Sequence, residues 1–158
     1  GKTWSKPVEA PAALNGERHK AEWTKDGRLF ITFRSIERDP VKNSLYSDNA
    51  ERGWYSEGWI AWVGTYEDLK NNMEGQYRLK LAHTYLDDQT HPQITAGADT
   101  GYCGNVVLDD GTIVTSSYGK FDPDKTYIDD AGNTVIKTSI ISKRIDLSLT
   151  DRLAGSKN

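Results

Sequence analysis

The sequence predicts an all-β fold from three observations. Short runs alternate apolar and polar residues, as where Leu29, Ile31 and Phe33 alternate with Thr32 and Arg34, which is the period of a β-strand. Asp-Gly pairs at 26–27 and 110–111 separate β-rich runs, and this pair is a strong hairpin signal because both turn positions favour positive φ. Further turn residues recur at short spacing along the whole chain, which is typical of antiparallel β proteins.

The elements follow from this pattern in chain order. The predicted strands cover residues 17–23, 29–34, 59–66, 77–85, 106–108, 112–118 and 135–147. Residues 35–53 are long, polar and charged and predict a surface loop. Residues 67–74 predict either a short helical turn or a polar loop, residues 122–133 a turn-rich stretch, and residues 150–158 a polar, frayed tail.

Strands that recur in antiparallel groups of four about every 40–50 residues are typical of a β-propeller. The length predicts about three four-stranded antiparallel blades, at 1–50, 51–100 and 101–150, with a polar tail at 151–158. Because propellers close with ~4–8 blades, we expect this chain to be a fragment of a larger ring or to pair with a companion fragment. A closed β-sandwich is the alternative fold.

Composition limits the classes of partner. The formal net charge is -3 at pH 7, which argues against a general nucleic-acid surface because such surfaces carry clustered basic residues. No apolar run approaches the ~20 residues needed to cross a bilayer, so we expect no membrane partner. Hydrophobic residues make up 36% of the chain, with 5 Trp and 8 Tyr, which predicts a thin core that is rich in aromatic rings.

Several stretches resemble one family. Gly1-Lys2-Thr3-Trp4 looks like the second half of an Asp-box, the turn motif of sialidase-like propellers, so we expect the motif to begin upstream of Gly1. The stretches at 16–20, 26–34, 59–66, 74–78 and 101–104, with Asp110-Gly111-Thr112, resemble blades of the sialidase superfamily. Residues 130–134 resemble a degenerate Asp-box.

The resemblance implies a six- or seven-bladed propeller that is secreted or periplasmic and acts on glycans. Sialidases bind the substrate carboxylate with an Arg cluster and use a Tyr nucleophile, whereas ulvan-type polysaccharide lyases use His and Tyr beside a neutralising Arg. We therefore expect a carbohydrate-active enzyme that cleaves an acidic glycan, by hydrolysis or by β-elimination, with no cofactor required for the chemistry. A non-catalytic glycan-binding propeller is the alternative, and an inactive structural fragment is a third.

Four residues are candidates for this chemistry. Arg34 ends an apolar strand, where its guanidinium could hold a sugar carboxylate in a bidentate pair. Tyr102 follows a glycine-containing turn and could donate or accept a proton, and His19 is a natural proton carrier near neutral pH. Tyr118 ends the partner strand and is a candidate for lining the substrate pocket.

His83, His91 and Cys103 form a candidate structural zinc site, to which His19 could add a ligand. Imidazole and thiolate are zinc ligands, but a structural site needs four of them, and the spacing matches no compact zinc motif. A core histidine at His83 and a buried apolar role for Cys103 are the alternatives.

Overall fold

The computed structural model describes residues 2–4, 6–37, 55–85 and 99–155, and these residues are mostly β. Two short α-helices, α1 (Tyr66–Lys70) and α2 (Leu147–Gly155), and one 3-10 turn at Ala12–Leu14 accompany the strands. The strands are β1 (Gly16–Trp23), β2 (Leu29–Glu37), β3 (Tyr55–Gly64), β4 (Tyr77–Ala82), β5 (Thr100–Val107), β6 (Ile113–Gly119), β7 (Thr126–Ile128), β8 (Thr134–Ile136) and β9 (Ser139–Ile145).

All strand pairs among the described residues are antiparallel, and they form three sheets. The first sheet has the order β1-β2-β3-β4, the second has the order β5-β6-β9, and β7 pairs with β8 alone. No sheet closes on itself within the described part of the chain. The all-β, antiparallel prediction is confirmed, whereas the arrangement of these sheets as propeller blades stays a prediction. The first sheet contains strands from both sides of the predicted division between residues 50 and 51.

The main core lies between the first and second sheets. Alternation along β2 and β3 directs one set of apolar side chains toward the second sheet, and that set packs on residues of β4, β5, β6 and α2. The buried members of this core are Phe30, Trp59, Ala61, Val63, Leu81, Cys103, Ile113 and Leu147. Cys103 therefore occupies a core position.

A second core covers the opposite face of the first sheet. Its buried members are Ala13, Leu14, Leu29, Ile31, Phe33, Ile60 and Trp62, and Leu69 of α1 packs against them. The Trp62 ring donates from Nε1 to the Glu74 carbonyl oxygen at 2.8 Å. Gly75, with φ 77°, lies so close to this ring that a Cβ there would be 2.4 Å from a ring carbon, so the ring is held by a turn that only glycine fits.

β1 and β5 are edge strands of different sheets and lie side by side at a junction that we call the β1/β5 junction. Asn105 connects the strands by donating from Nδ2 to the Lys20 carbonyl oxygen at 2.9 Å. Its Oδ1 accepts from the hydroxyls of Thr32 at 3.1 Å and Thr115 at 2.7 Å. Further along, Lys25 lies 3.7 Å from Asp109, so the two strands run in the same direction along the junction.

The predicted C-terminal part needs two corrections. The single predicted strand at 135–147 is wrong, because β8 pairs with β7 while β9 pairs with β6, and the helix α2 begins at Leu147. The frayed tail is wrong for residues 150–155, which continue that helix; residues 156–158 lie outside the described residues. The helical alternative for 67–74 is confirmed in part by α1, whose Thr65 and Asp68 form a capping box.

The helix α2 is fixed to the first sheet by charge-assisted hydrogen bonds. Arg28, in the turn between β1 and β2, donates from Nη1 and Nη2 to the two carboxylate oxygens of Asp151 at 2.8 and 2.9 Å. The Tyr77 hydroxyl donates to the same carboxylate and contacts Thr150 at 3.0 Å. No helix among the described residues has the length and apolar character that a membrane crossing needs.

Candidate functional site

Two arginines converge on one carboxylate at the end of the β1/β5 junction. Arg34 donates from Nη1 to Asp99 Oδ1 at 3.2 Å, and Arg18 donates to the same oxygen. Arg34 also donates from Nη2 to Glu17, and its side chain is only 8% exposed. We call Arg18, Arg34, Asp99, Tyr102 and Tyr118 the Arg–Tyr cluster.

Two β-bulges present Arg18 and Tyr102 to each other. The register shifts between Glu17 and Lys20 in β1 and between Gly101 and Gly104 in β5. Arg18 and Tyr102 lie inside these bulges with φ of 63° and 45°, a left-handed conformation that costs a non-glycine residue free energy. Backbone strain of this kind is concentrated at functional sites.

Gly101 makes room for this contact. A Cβ at Gly101 would lie 2.8 Å from Cδ and 3.1 Å from Cβ of Arg18, and its φ is 109°. The hydroxyl of Ser117 donates to the Gly101 carbonyl oxygen at 2.8 Å, and Thr100 Oγ1 donates to the Tyr118 carbonyl oxygen at 2.7 Å. Buried hydroxyl groups thus hold the bulge in place.

The two tyrosines of the cluster form an aromatic surface. Their ring centroids are 6.2 Å apart with an interplanar angle of 15°, and Tyr102 is 72% exposed. The Arg18 guanidinium carbon lies 4.4 Å from the Tyr102 ring centroid, which is a cation–π contact. The Tyr118 hydroxyl donates to Asp99 Oδ2 at 2.7 Å and accepts from Arg18 Nη1 at 3.2 Å.

The cluster shifts the protonation equilibria of its members. Burial, followed by the hydrogen bond to Asp99, raises the pKa of Tyr118 above its usual 10.0. Burial alone would raise the pKa of Asp99, but hydrogen bonds from Arg18 and Tyr118 and the charges of Arg18 and Arg34 outweigh it and lower that pKa below 3.8. At neutral pH the cluster therefore holds a protonated phenol beside an ionised carboxylate.

Arg18 keeps donor capacity for a ligand. Its hydrogen bonds to described residues all leave from Nη1, toward Asp99, the Thr100 carbonyl oxygen at 2.8 Å and Tyr118. Its Nε and Nη2 groups therefore have no acceptor among the described residues. These two groups form the guanidinium edge that binds carboxylates in a bidentate pair.

The structure brings together three of the four predicted site residues and separates the fourth. Arg34, Tyr102 and Tyr118 all belong to the Arg–Tyr cluster. His19 stacks on Phe33 with 5.0 Å between ring centroids and donates from Nε2 to the Leu14 carbonyl oxygen at 2.8 Å. Phe33 belongs to the second core, so the His19 ring lies on the opposite face of the first sheet from Arg34.

The predicted zinc ligands are not gathered by the described residues. Cys103 is 8% exposed within the main core, and His83 packs edge-on against Tyr85 at 4.9 Å. Burial, and then the charge of Lys80, lower the pKa of His83. His91 lies outside the described residues, and within those described no group of three or more His, Cys, Asp or Glu could hold a metal ion. The zinc site stays a prediction.

Sequence reasoning missed Arg18 and Asp99 as members of the site. Arg18 directly precedes the candidate His19, and Asp99 lies three positions before the candidate Tyr102. Their pairing joins positions 81 residues apart across two sheets, and no local pattern encodes it. The glycine at position 101, beside an aromatic residue, is the one local signal of an unusual backbone at this point.

Comparisons with known proteins leave the cluster to be interpreted from its own geometry. No protein-family model, no curated protein and no solved structure matches the chain.

Proposed function

We propose that this protein binds a carboxylated saccharide at the Arg–Tyr cluster. The single observation that supports this proposal most is the placement of Arg18, whose Nε and Nη2 edge lies beside an exposed tyrosine surface. A sugar ring carries an apolar C–H face that packs on an aromatic ring, and a uronate adds a carboxylate that pairs with a guanidinium. The cluster offers both groups side by side.

The hydrogen bonds within the Arg–Tyr cluster orient its guanidinium groups for a ligand. Asp99 and Glu17 already hold Nη1 of Arg18 and both Nη groups of Arg34, which fixes the guanidinium planes before a ligand arrives. A carboxylate at the free edge of Arg18 would not have to displace Asp99. Binding to such a prearranged site loses little side-chain entropy.

The direct test is calorimetric titration with tetragalacturonate and with its methyl ester, which has the same sugar chain without the charges. We expect the acid to bind at least about tenfold more tightly than the ester. Arg18→Lys keeps the charge but removes the bidentate edge, and we expect it to abolish this preference. Arg144→Lys, on the exposed strand β9, is the matched control. Equal binding of acid and ester by the wild-type protein would contradict the proposal.

A second candidate function is β-elimination, and the observation that favours it is the Tyr118 hydroxyl, which lies 2.7 Å from the Asp99 carboxylate and 3.2 Å from the Arg18 guanidinium. Elimination removes the C5 proton of the uronate, forms the C4–C5 double bond and breaks the bond from C4 to the glycosidic oxygen. Asp99 would accept the C5 proton and the Tyr118 phenol would protonate the leaving oxygen, and the 2.7 Å hydrogen bond between them would return the proton to Tyr118. The open edge of Arg18 would neutralise the uronate carboxylate. A sialidase-type nucleophile would need a lowered tyrosine pKa, whereas the pKa of Tyr118 is raised. Neither His19 nor His83 is a hydrogen-bond partner of Arg18, Asp99 or Tyr118, so we place binding before catalysis.

Elimination leaves an unsaturated uronate that absorbs ultraviolet light, whereas hydrolysis leaves a saturated sugar that does not absorb it. We expect a lyase to raise the absorbance of a polyuronate solution, and Tyr118→Phe to abolish the rise while retaining affinity for tetragalacturonate. A wild-type protein that binds, releases no reducing ends and never raises the absorbance is a binding module and not a lyase. Release of reducing ends without the absorbance would instead favour a hydrolase.

The propeller arrangement and export from the cell belong to the same proposal. The antiparallel order β1-β2-β3-β4 supports a blade, since each propeller blade is a four-stranded sheet. If the second sheet is the neighbouring blade, further blades must cover the remaining open faces. Native mass spectrometry tests this, because a chain that is monomeric and unfolds cooperatively alone would contradict the need for companion blades.

A further inference from the structure

A second concave surface lies at the other end of the β1/β5 junction. It is a cleft of about 380 Å³, lined by Glu22, Trp23, Lys25, Asn105, Val106 and Val107. Trp23 and Val106 are 54% and 56% exposed, so their apolar surfaces are accessible to a ligand. Hydrogen bonds to Lys20, Thr32 and Thr115 hold the Asn105 amide in place, so it forms a rigid polar floor.

The cleft and the Arg–Tyr cluster lie on one continuous line. Both are built from β1 and β5, which run in the same direction along the junction. Arg18 is five positions before Trp23 in β1, which corresponds to roughly 16 Å at the usual rise of a strand. A ligand that reaches both places must therefore be several sugar units long.

The two ends of this line differ in the polar groups that they leave open. At the Arg–Tyr cluster, Asp99 and Glu17 balance the charges of the two guanidinium groups, and Arg18 keeps its Nε and Nη2 edge for an acceptor. At the cleft, Lys25 lies 3.7 Å from Asp109 and Glu22 adds a second carboxylate, so a carboxylated unit would meet excess negative charge there. The Glu22 carboxylate can accept hydrogen bonds from sugar hydroxyls. The Trp23 ring, whose centroid lies 6.4 Å from that of Tyr66, offers an aromatic surface. These groups suit an uncharged sugar unit.

We infer that the ligand is a heteropolysaccharide segment whose carboxylated unit lies at the Arg–Tyr cluster and whose uncharged unit lies in the Trp23 cleft. This inference rests on the proposed function, because it takes the Arg–Tyr cluster as the first point of contact. It adds the substrate class: a chain that combines acidic and uncharged sugars, bound along β1 and β5 over several units.

The test compares glucuronic acid with a tetrasaccharide in which glucuronate alternates with N-acetylglucosamine, by titration of the whole chain. We expect the tetrasaccharide to bind at least about tenfold more tightly than the monosaccharide. Trp23→Ala should remove most of this difference, roughly five- to tenfold, and leave binding of glucuronic acid unchanged. Trp4→Ala, at a tryptophan that is 90% exposed, is the matched control and should change neither.

Val106→Glu gives an independent reading, because this exposed position tolerates a polar side chain and the added carboxylate would crowd the cleft. Val106→Glu should weaken binding of the tetrasaccharide and leave binding of glucuronic acid unchanged. If Trp23→Ala and Val106→Glu leave tetrasaccharide binding intact while Arg18→Lys weakens it, the inference is overturned and the proposed function stands. If Arg18→Lys changes no affinity, or if neither probe binds, the proposed function fails and the inference fails with it.

Discussion

Arg18 and Tyr102 are the residues on which the candidate site depends. Each adopts positive φ without being glycine, and each does so inside a bulge of an edge strand. An ordinary strand conformation at either position would turn the side chain away from its partner, because successive strand residues face opposite sides. The strain is therefore tied to the contact between the guanidinium and the ring.

The conformation of Tyr102 makes a prediction with a definite sign. In a regular strand, alanine is more stable than glycine by roughly 0.5–1 kcal/mol. At φ 45° the order should reverse, because glycine carries no Cβ penalty there, so Tyr102→Gly should be more stable than Tyr102→Ala by about 1 kcal/mol. The free energy of unfolding in urea measures this difference.

Val106 is the control position for that comparison. It is an exposed residue of the same strand and is not among the residues with positive φ, so Val106→Ala should be more stable than Val106→Gly. The same order of alanine and glycine at both positions would show that Tyr102 has no left-handed backbone in solution.

At the scale of elements, the helix α2 depends on contacts outside itself. Only Leu147 of this helix is buried, while Leu149 and Leu153 are 48% and 59% exposed. A helix this short is marginal without tertiary contacts. The bidentate pair of Arg28 with Asp151 therefore supplies a large part of its attachment.

Asp151→Asn tests this attachment. The substitution keeps the size of the side chain but removes the charge, so it should weaken the pair by about 1 kcal/mol, since Asp151 is partly exposed. We expect the amide protons of α2 to exchange roughly fivefold faster while those of β2 and β3 keep their rates. Asp130→Asn, in the exposed turn before β8, is the control. Unchanged exchange in α2 would contradict the role of the pair.

The same network predicts a loss of stability in acid. The hydrogen bond from Arg28, more than any other cause, lowers the pKa of Asp26 to about 2 from 3.8. Because the folded pKa lies below the unfolded pKa, the stabilisation is present above pH 3.8 and is lost as the pH falls toward about 2. As the pH falls across this window, the melting temperature of Asp26→Asn should fall by less than that of the wild-type protein. If the melting temperatures of the two proteins fall equally with pH, the charge of Asp26 does not contribute to stability.

At the scale of the whole molecule, Asn105 joins the two large sheets. It is 6% exposed and connects the backbone of β1 to hydroxyls of β2 and β6. Asn105→Ala would take the Oδ1 acceptor from the buried Thr32 and Thr115 hydroxyls and one donor from the Lys20 carbonyl oxygen. Such unsatisfied groups cost about 1–3 kcal/mol, so we expect a loss of about 2–4 kcal/mol in the free energy of unfolding.

Asn133→Ala is the matched control for that substitution. Asn133 lies in an exposed turn and contacts Asp129 at 3.1 Å, so its loss should cost less than about 1 kcal/mol. If Asn105→Ala costs no more than Asn133→Ala, the two sheets are not joined through this amide.

Local signals predicted most strands but not all of their bounds. The predicted loop at 35–53 begins inside β2, β5 begins at Thr100 and not at Val106, and β7 lies within the predicted turn-rich stretch. Gly27 and Gly111 have positive φ, 82° and 86°, as the Asp-Gly signals predicted, whereas Asp26 and Asp110 are not among the described residues with positive φ. The helix α2 was missed because its apolar residues form no buried stripe, and helical period is the signal that sequence reasoning uses. The division of residues 135–147 between two sheets depends on which strand each half pairs with, which is a non-local choice.

The candidate site was predictable in part. Arg34 and Tyr102 stand out because a charged residue ends an apolar strand and an aromatic residue follows glycine. Their meeting through Arg18 and Asp99 depends on β1 and β5 lying side by side, and on left-handed backbone at Arg18 that its sequence does not signal. The position of His19 on the other face follows from the bulge in β1, which changes the face on which the subsequent residues lie.

The most direct test of the account is a residue-resolved NMR titration of the whole chain with tetragalacturonate. We expect the largest shifts at the Arg18 Nε–H and at the backbone amides of Gly101 and Tyr102, with little change when the methyl ester is added. Shifts that cluster away from β1 and β5, or equal shifts with acid and ester, would contradict the claim that the Arg–Tyr cluster binds a sugar carboxylate.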